Sequence, residues 1–295
     1  MTAIVTQYVD RPTWLVGRQP TCGSSDASAL LGVHRDKHEY ATWVDKTEPL
    51  EIRERDEWLR RAERREPWII QEFVLASKIA AEPAPKFTIW TNPAWSLIMS
   101  CSLDGILTES GRPLECKTAQ FAQGKIWKHK VPADYMIQVN TQLAILERDF
   151  GYIAVEIDGI MDFRWHRVNR NERIIRLIKQ RCEEFWERYV IPRVAPPLDY
   201  SEATRKAICR LYPADDTTTV DLPDESGDWI VERDKLNVEI AKRQESVDLI
   251  DNRIRAAIGS ASYGRLWDGS GFSYKANGKG TRTLRRCKKV SEPDE

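Results

Sequence analysis

The stretch SLIMSCSLDGILTESGRPLECKT, residues 96–118, constrains the fold more than any other part of the chain. It reads as two strands joined by a turn of Thr108, Glu109, Ser110 and Gly111. Alternation along RPLECKT puts Leu114 and Cys116 on one side of the second strand and Glu115 and Lys117 on the other. The charged pair is therefore expected to leave the core together. SLIMSCSLDGIL is expected as a single strand, so Asp104 can converge with Glu115 from its neighbour.

An Asp about ten residues ahead of Glu-x-Lys suits a divalent-metal site. Hard cations such as Mg²⁺ prefer oxygen ligands and keep several waters, so two carboxylates and substrate phosphate oxygens suffice without a full protein cage. A Lys beside the ion can orient or deprotonate the attacking water, and a second ion can stabilise the leaving oxygen. The chemistry indicated is phosphodiester hydrolysis. The same alternation also describes an ordinary strand with one solvated face, and the spacing alone leaves both readings open.

A chain of 295 residues, 31% charged and 41% hydrophobic, has room for one large domain with an appendage or for two modest ones. No apolar run approaches the length of a membrane span, and the N-terminal MTAIVTQYVDRPTW lacks the pattern of a secretory signal. Six scattered cysteines without a C-x-x-C pair argue against zinc or iron–sulfur ligation and are expected as reduced, mostly buried thiols. Lys plus Arg and Asp plus Glu balance at 45 each, so any nucleic-acid surface must be local. Three basic stretches are candidates: Arg53, Arg55, Arg60, Arg61, Arg64 and Arg65; Lys125, Lys128, His129 and Lys130; and KANGKGTRTLRRCKK near the end.

Residues 24–46 read as two short helices separated by a loop closing at Gly32, the second carrying Tyr40, Trp43 and Val44. A long helix is expected over 54–81, with Trp58, Leu59, Ala62, Ile69, Ile70, Phe73, Val74 and Ala76 at helical spacing and Pro67 at a kink or fresh start. Another helix is expected from Pro132, then a hairpin turning at Asp158–Gly159. The helix from Asn171 to Val190 has Ile174, Ile178, Cys182, Phe185 and Tyr189 as its inner stripe. The expected domains are 1–195, a connector at 196–228 and a C-terminal helix with a basic β-like tail at 229–295.

Four motifs in order resemble the YqaJ-like viral recombinase family, the alkaline exonucleases related to the phage lambda exonuclease, within the PD-(D/E)xK nuclease superfamily. WLVGRQPTCGSSDASALLGVH resembles the family's Trp-Leu…Arg…Gly-x-Ser-Asp…Leu-Gly signature, and AERREPWIIQEF its Gly-x-x-x-Glu-Pro helix. LDGIL…LECKT resembles its metal strands, and PADYMIQVNTQLAI its Pro…Tyr-x-x-Gln helix. The resemblance implies an α/β fold: a restriction-endonuclease-like core with a mixed central sheet flanked by helices, plus a C-terminal helical and small β appendage.

By this resemblance Asp104 and Glu115 match the metal-binding carboxylates and Lys117 the water-activating Lys, with the Cys116 backbone carbonyl as a further ligand. Glu66 matches a helix Glu that reaches the metal directly or through water, and Gln138 a helix Gln near the attacking water. Tyr135, Gln138 and Gln142 share one helix face. Arg18 and Ser25 match positions that bind the DNA backbone and its terminal 5′-phosphate; Ser25 also suits a helix N-cap, a role open to Ser24 or Asp26 as well. Three positions depart from the family pattern: Leu103 replaces the name-giving Pro, Ala62 the usual Gly and Asn140 a common second Gln. None removes a required charge.

The implied activity is Mg²⁺- or Mn²⁺-dependent digestion of one strand of linear duplex DNA from its 5′ end, with two ions, leaving 3′ tails. The implied partners are double-stranded DNA ends, a single-strand annealing protein and further copies of the chain in a ring-like homo-oligomer, with no membrane and in the cytoplasm of a bacterial or phage-infected cell. A structure-specific or nicking endonuclease shares the same chemistry. An inactive DNA-end-binding recombination scaffold is the alternative of another class.

Overall fold

The computed structural model describes residues 3–50, 57–157, 162–278 and 280–290. The chain forms two units, Met1–Asp215 and Asp216–Glu295.

The first unit opens with β1 (Ile4–Gln7), α1 (Arg11–Arg18), β2 (Cys22–Gly23), α2 (Ser24–Leu30), α3 (Glu39–Thr47) and α4 (Glu57–Ser77). Strands β3 (Ala81–Pro83), β4 (Thr88–Asn92), β5 (Ser96–Cys101), β6 (Gly105–Leu107) and β7 (Pro113–Ala119) follow. The remainder is α5 (Gly124–Trp127), α6 (Ala133–Ile145), β8 (Phe150–Ile157), β9 (Asp162–Asn169), α7 (Glu172–Phe185) and α8 (Glu202–Leu211). A five-stranded sheet runs β3-β6-β7-β8-β9 and a four-stranded sheet β1-β4-β5-β2. This is the mixed α/β architecture the sequence implies.

Strands β7 and β8 pair in parallel, with Glu115 opposite Ile153. Parallel neighbours need a crossover, and α5 and α6 provide it. On one face of the five-stranded sheet α4 packs Ile69, Ile70 and Phe73 against Leu107, Leu114, Cys116, Tyr152 and Ala154. On the other, Val139 and Leu143 of α6 cover Ile153, Val155, Ile157 and Val168. A third cluster joins α2, α3, α7 and the four-stranded sheet through Leu30, Val44, Met99, Ile178 and Phe185.

The segment expected as one strand, SLIMSCSLDGIL, is two strands in different sheets, because hydrogen bonds to residues distant in sequence turn the chain between them. Ser102 Oγ donates to the Thr88 carbonyl at 2.8 Å, and the Asp104 carbonyl accepts from Ala84 N at 3.0 Å. Gly105 lets α4 approach closely, since a Cβ there would stand 3.1 Å from Ile70 Cδ1 and 3.3 Å from the Glu82 carbonyl. The expected turn follows, with Gly111 at φ +61°.

Within α4, Ile69, Ile70 and Phe73 are buried as expected, but Ala76 is exposed and Pro67 lies inside an unbroken helix. The side chains of Trp58 and Leu59, and all of Arg53 and Arg55, lie outside the described residues, as does the Asp158–Gly159 turn between the antiparallel β8 and β9. Asn171 caps α7 by accepting from Arg173 N and Ile174 N; the helix widens to a π-helical turn over Trp186–Val190, and Ile175 rather than Ile174 is fully buried. The stretch 196–228 divides at residue 215, since α8 sides with the first unit: Ala207 is buried, and Arg210 Nη1 bonds Asp45 Oδ1 at 2.9 Å. All six cysteines are free thiols, four of them buried, with Cys209 exposed and Cys287 half-buried.

The second unit is α9 (Ser226–Ile258), ended by Gly259 at φ +59°, and an antiparallel sheet of β10 (Tyr263–Arg265), β11 (Gly271–Ala276) and β12 (Arg282–Cys287). No helix among the described residues is long and apolar enough to cross a membrane.

A buried ion cluster anchors α2 to α3. Asp26, only 5% exposed, accepts from Lys37 Nζ at 3.1 Å, Lys46 Nζ at 2.8 Å and Gly23 N at 3.1 Å, and Lys37 also bonds Asp45 at 2.8 Å. Burial would raise the Asp26 pKa, but Lys37, Lys46 and Arg18 outweigh it and hold the carboxyl well below its usual range. Burial would lower that of Lys37, but Asp26 and Asp45 raise it. Asp26→Asn leaves the lysines undercompensated and should cost about 3–5 kcal/mol in urea denaturation at neutral pH. Because its folded pKa is depressed, the Asp26 contribution is present above the unfolded value of about 3.9 and lost as pH falls towards the folded one. The wild-type advantage over Asp26→Asn should therefore be flat around neutrality and shrink below about pH 4.

Candidate active site

Because Leu114 and Cys116 face α4, alternation turns Glu115 and Lys117 towards α6. The pair does not leave the core together: Glu115 is only 1% exposed, because α6 covers that face, while Lys117 reaches the cleft edge. A buried carboxylate is costly unless its oxygens are matched by donors. Glu115 Oε1 accepts from Lys117 Nζ and from Gln138 Nε2, and Oε2 accepts from Gln142 Nε2 at 2.5 Å. Tyr135, Gln138 and Gln142 do share one face of α6, and Lys117 Nζ stands 5.2 Å from the Tyr135 ring centroid. The Gln142 amide also donates to the Ser102 carbonyl at 3.4 Å.

Asp104 sits at the bend between β5 and β6, where its Oδ2 accepts from Cys116 N at 2.8 Å. Burial first, then the negative charge of Glu115 and Glu66, hold its pKa well above the usual carboxylate range against the pull of Lys117. Burial opposes the charge on Lys117, but Glu115 and Asp104 raise its pKa, so Lys117 is an ammonium. The Cys116 thiol lies in the core against α4 with its pKa raised by burial, which leaves the backbone carbonyl as its only candidate donor to the site.

One cleft of about 400 Å³ brings the candidates together: Asp104, Glu115, Lys117 and Gln138 line it, with Glu66 from α4 and Arg18, Ser24 and Ser25 from the α1–α2 corner. Arg18 Nη2 donates to Ser25 Oγ at 3.3 Å and stacks on Trp14, 4.5 Å from the ring centroid. The Asp10 carboxylate caps α1 through Thr13 N at 2.9 Å, with Pro12 in the first turn. Helix α2 begins at Ser24 with Gly23 as its cap, and Asp26 takes the Gly23 N–H, so Ser25 is free of capping and exposed to the cleft. A second cavity of about 510 Å³ shares Ser25 and Gln138 and adds His34, Ile126 and Tyr135, extending the opening along α6.

Sequence reasoning did not assign Gln142 and Trp14 to the site. Gln142 was visible as a partner on the Gln138 face, and Trp14 as a residue one helical turn before Arg18. The arginines of α4 differ from a row of open cations: Arg60, Arg61 and Arg64 surround the single Glu57 carboxylate, and Arg65 bonds Glu156. Lys125, Lys128, His129 and Lys130 are all exposed.

Among the described residues no group of three or more His, Cys, Asp or Glu side chains is spaced to hold a metal ion. The donors nonetheless fit a hard cation, which accepts two carboxylates and a carbonyl and fills its remaining positions with water. The repulsion that Glu115 and Glu66 exert on Asp104 is the field such an ion relieves. Asp104→Asn keeps an acceptor for Cys116 N and removes that repulsion, so in EDTA it should unfold at a higher temperature than the wild type. Each 1 kcal/mol gained would add about 2–4 °C, read by differential scanning calorimetry.

Residues 13–149 match the YqaJ-like viral recombinase domain. The Bacillus subtilis (strain 168) protein YqaJ, itself uncharacterized, is 27% identical over 261 residues, which cover 87% of this chain and 81% of that protein. Among solved structures, the alkaline exonuclease LHK-Exo from Laribacter hongkongensis superposes with a TM-score of 0.51 at 14% identity, covering 68% of this chain and all of that one. LHK-Exo in complex with dAMP superposes equally, at 0.51 and 16% identity over 69% of this chain and 98% of that one. These likenesses show a shared fold, and the four motifs fall in the matched segment or at its edge. Residues 13–149 thus resemble a YqaJ-like viral recombinase domain, in line with the four motifs, and the fold is the one this chain shares with LHK-Exo.

Proposed function

We propose that this protein is a divalent-metal-dependent DNA exonuclease that digests one strand of linear duplex from its 5′ end and leaves a 3′ single-stranded tail. The observation that carries this reading is the one cleft that Asp104, Glu115, Lys117 and Gln138 line together with Arg18 and Ser25. It joins the residue types of metal-assisted hydrolysis to an Arg–Ser pair suited to a phosphate. The dAMP complex of a structurally similar exonuclease supports a nucleoside monophosphate as the class of group the cleft receives.

Asp104, Glu115 and the Cys116 carbonyl would hold Mg²⁺ or Mn²⁺, as two ions, with Glu66 contributing directly or through water. Bound there, the ions polarise the phosphate and acidify a water. Gln138 donates to Glu115 through Nε2, which leaves Oε1 as an acceptor to orient a water in the cleft. Lys117 draws its raised pKa from Glu115 and Asp104. A cation held by those carboxylates would weaken that pull, and Lys117 could then exchange a proton with a water in the cleft. Resemblance to the YqaJ-like family further supports a ring-like homo-oligomer and a single-strand annealing partner.

Two experiments test the reading. End-labelled linear duplex should be degraded in Mg²⁺ and not in EDTA, while a closed circle survives; cutting of the circle would favour the endonuclease. Asp104→Ala and Glu115→Ala should fall to background, and Lys117→Ala should lose about 10²–10⁴-fold in rate while still binding Mn²⁺. Metal binding without cleavage of any DNA by the wild type would favour the inactive scaffold. In the second, 5′-phosphorylated duplex should be degraded faster than 5′-hydroxyl duplex. Arg18→Ala should remove that preference, a loss of about 10–100-fold for charge-assisted hydrogen bonds, and spare the slow reaction on hydroxyl ends. Arg18→Lys should restore only part, lacking the planar fork.

A further inference from the structure

Charge in this chain is neutral in sum but not in place. Residues 259–290 hold eight Lys and Arg against one acid, Asp268, so a chain with 45 of each sign is acidic everywhere else taken together. The excess falls on the three-stranded sheet of the second unit, which the proposed activity does not use.

The sheet has two unlike faces. Gly264 faces the end of α9, where a Cβ would meet Ile258 at 2.8 Å, and its register partner Phe272 lies on that side, as does Tyr274 two residues on. Arg282 is spent there: it donates to the carbonyls of Gly259 and Ala261 and lies 3.9 Å over the Tyr274 ring. On the outer face, Tyr263, Ser273 and Arg285 stand in one row across the strands, and alternation adds Arg265, Lys275 and Thr283. Tyr263 is 45% exposed with Lys275 Nζ 4.4 Å above its ring, and Trp267, between β10 and β11, is 99% exposed.

We infer that this outer face binds single-stranded DNA, with Lys275 and Arg285 on the phosphates, Tyr263 as a stacking platform for an unpaired base and Trp267, in the connection between β10 and β11, as a second. Cations beside exposed rings on an open sheet are the combination that single strands require: the cations attract the backbone, and every base offers a ring face to stack. Duplex DNA hides its ring faces and meets only the charge. The choice of DNA as the strand rests on the nuclease reading, and it gives the enzyme a place to hold the tail it makes.

The test uses the full-length protein in EDTA, with a fluorescein-labelled oligo(dT) read by anisotropy. Wild type should bind oligo(dT). Lys275→Glu with Arg285→Glu should weaken oligo(dT) binding at least tenfold and lower the slope of log affinity against log salt by about 1.4, as loss of two single-strand contacts requires. Trp267→Ala and Tyr263→Ala should each weaken oligo(dT) by about fivefold or more and leave duplex binding unchanged. Unaltered oligo(dT) affinity in the charge-reversed protein overturns the proposal. So does an equal loss of duplex binding in Tyr263→Ala and Trp267→Ala, or capture by phosphatidylserine vesicles without binding of oligo(dT). Degradation of linear duplex, assayed separately in Mg²⁺, distinguishes the two failures: digestion without oligo(dT) binding sinks only the sheet, and binding without digestion sinks only the nuclease reading.

Discussion

A single buried carboxylate organises the first unit. Glu115 has almost no contact with solvent, and its oxygens are matched by Lys117 on its own strand and by two glutamines from α6. Leaving such a charge unmatched would cost several kcal/mol, so α6 is held against β7 by the need to supply those donors as well as by the apolar contacts of Val139 and Leu143. The crossover between β7 and β8 runs through that helix. The chain's connectivity and its chemistry therefore meet at one side chain.

Much of this was legible in the sequence, and its gaps have definite causes. The period of two along β7 correctly separated Leu114 and Cys116 from Glu115 and Lys117, because alternation is a property of the strand itself. It could not say that both faces would be covered, since that depends on where a helix some twenty residues later comes to rest. The same limit explains β5 and β6: SLIMSCSLDGIL has the composition of one strand, and the bend at Asp104 arises from hydrogen bonds to Thr88 and Ala84, which only tertiary pairing reveals. The spacing of Asp104, Glu115 and Lys117 alone was ambiguous; four motifs in order made it specific.

The corner between α1 and α2 shows how local signals add up without being read. Asp10, Pro12 and Thr13 are ordinary start signals for a helix, and once α1 exists Trp14 and Arg18 fall one turn apart. Ser25 had several roles open to it, and Asp26 decides among them by taking the Gly23 amide and two lysines. The second unit was readable in outline as a charged helix and a basic tail. The separation of its sheet into a covered and an open face needed the strand register.

The bend that carries Asp104 lies on the seam between the two sheets, after the end of β5 in the four-stranded sheet and directly before β6 in the five-stranded one. Gln142 spans the same seam, bonded to the Ser102 carbonyl on one side and to Glu115 on the other. Asp104 is itself bonded to Cys116 N of β7, so the five-stranded sheet holds both carboxylates while Ser102, two residues before Asp104, bonds the Thr88 carbonyl of the four-stranded one. Whatever sheared the sheets apart would therefore pull first on residues 102–104, the short segment through which strain would reach the candidate site.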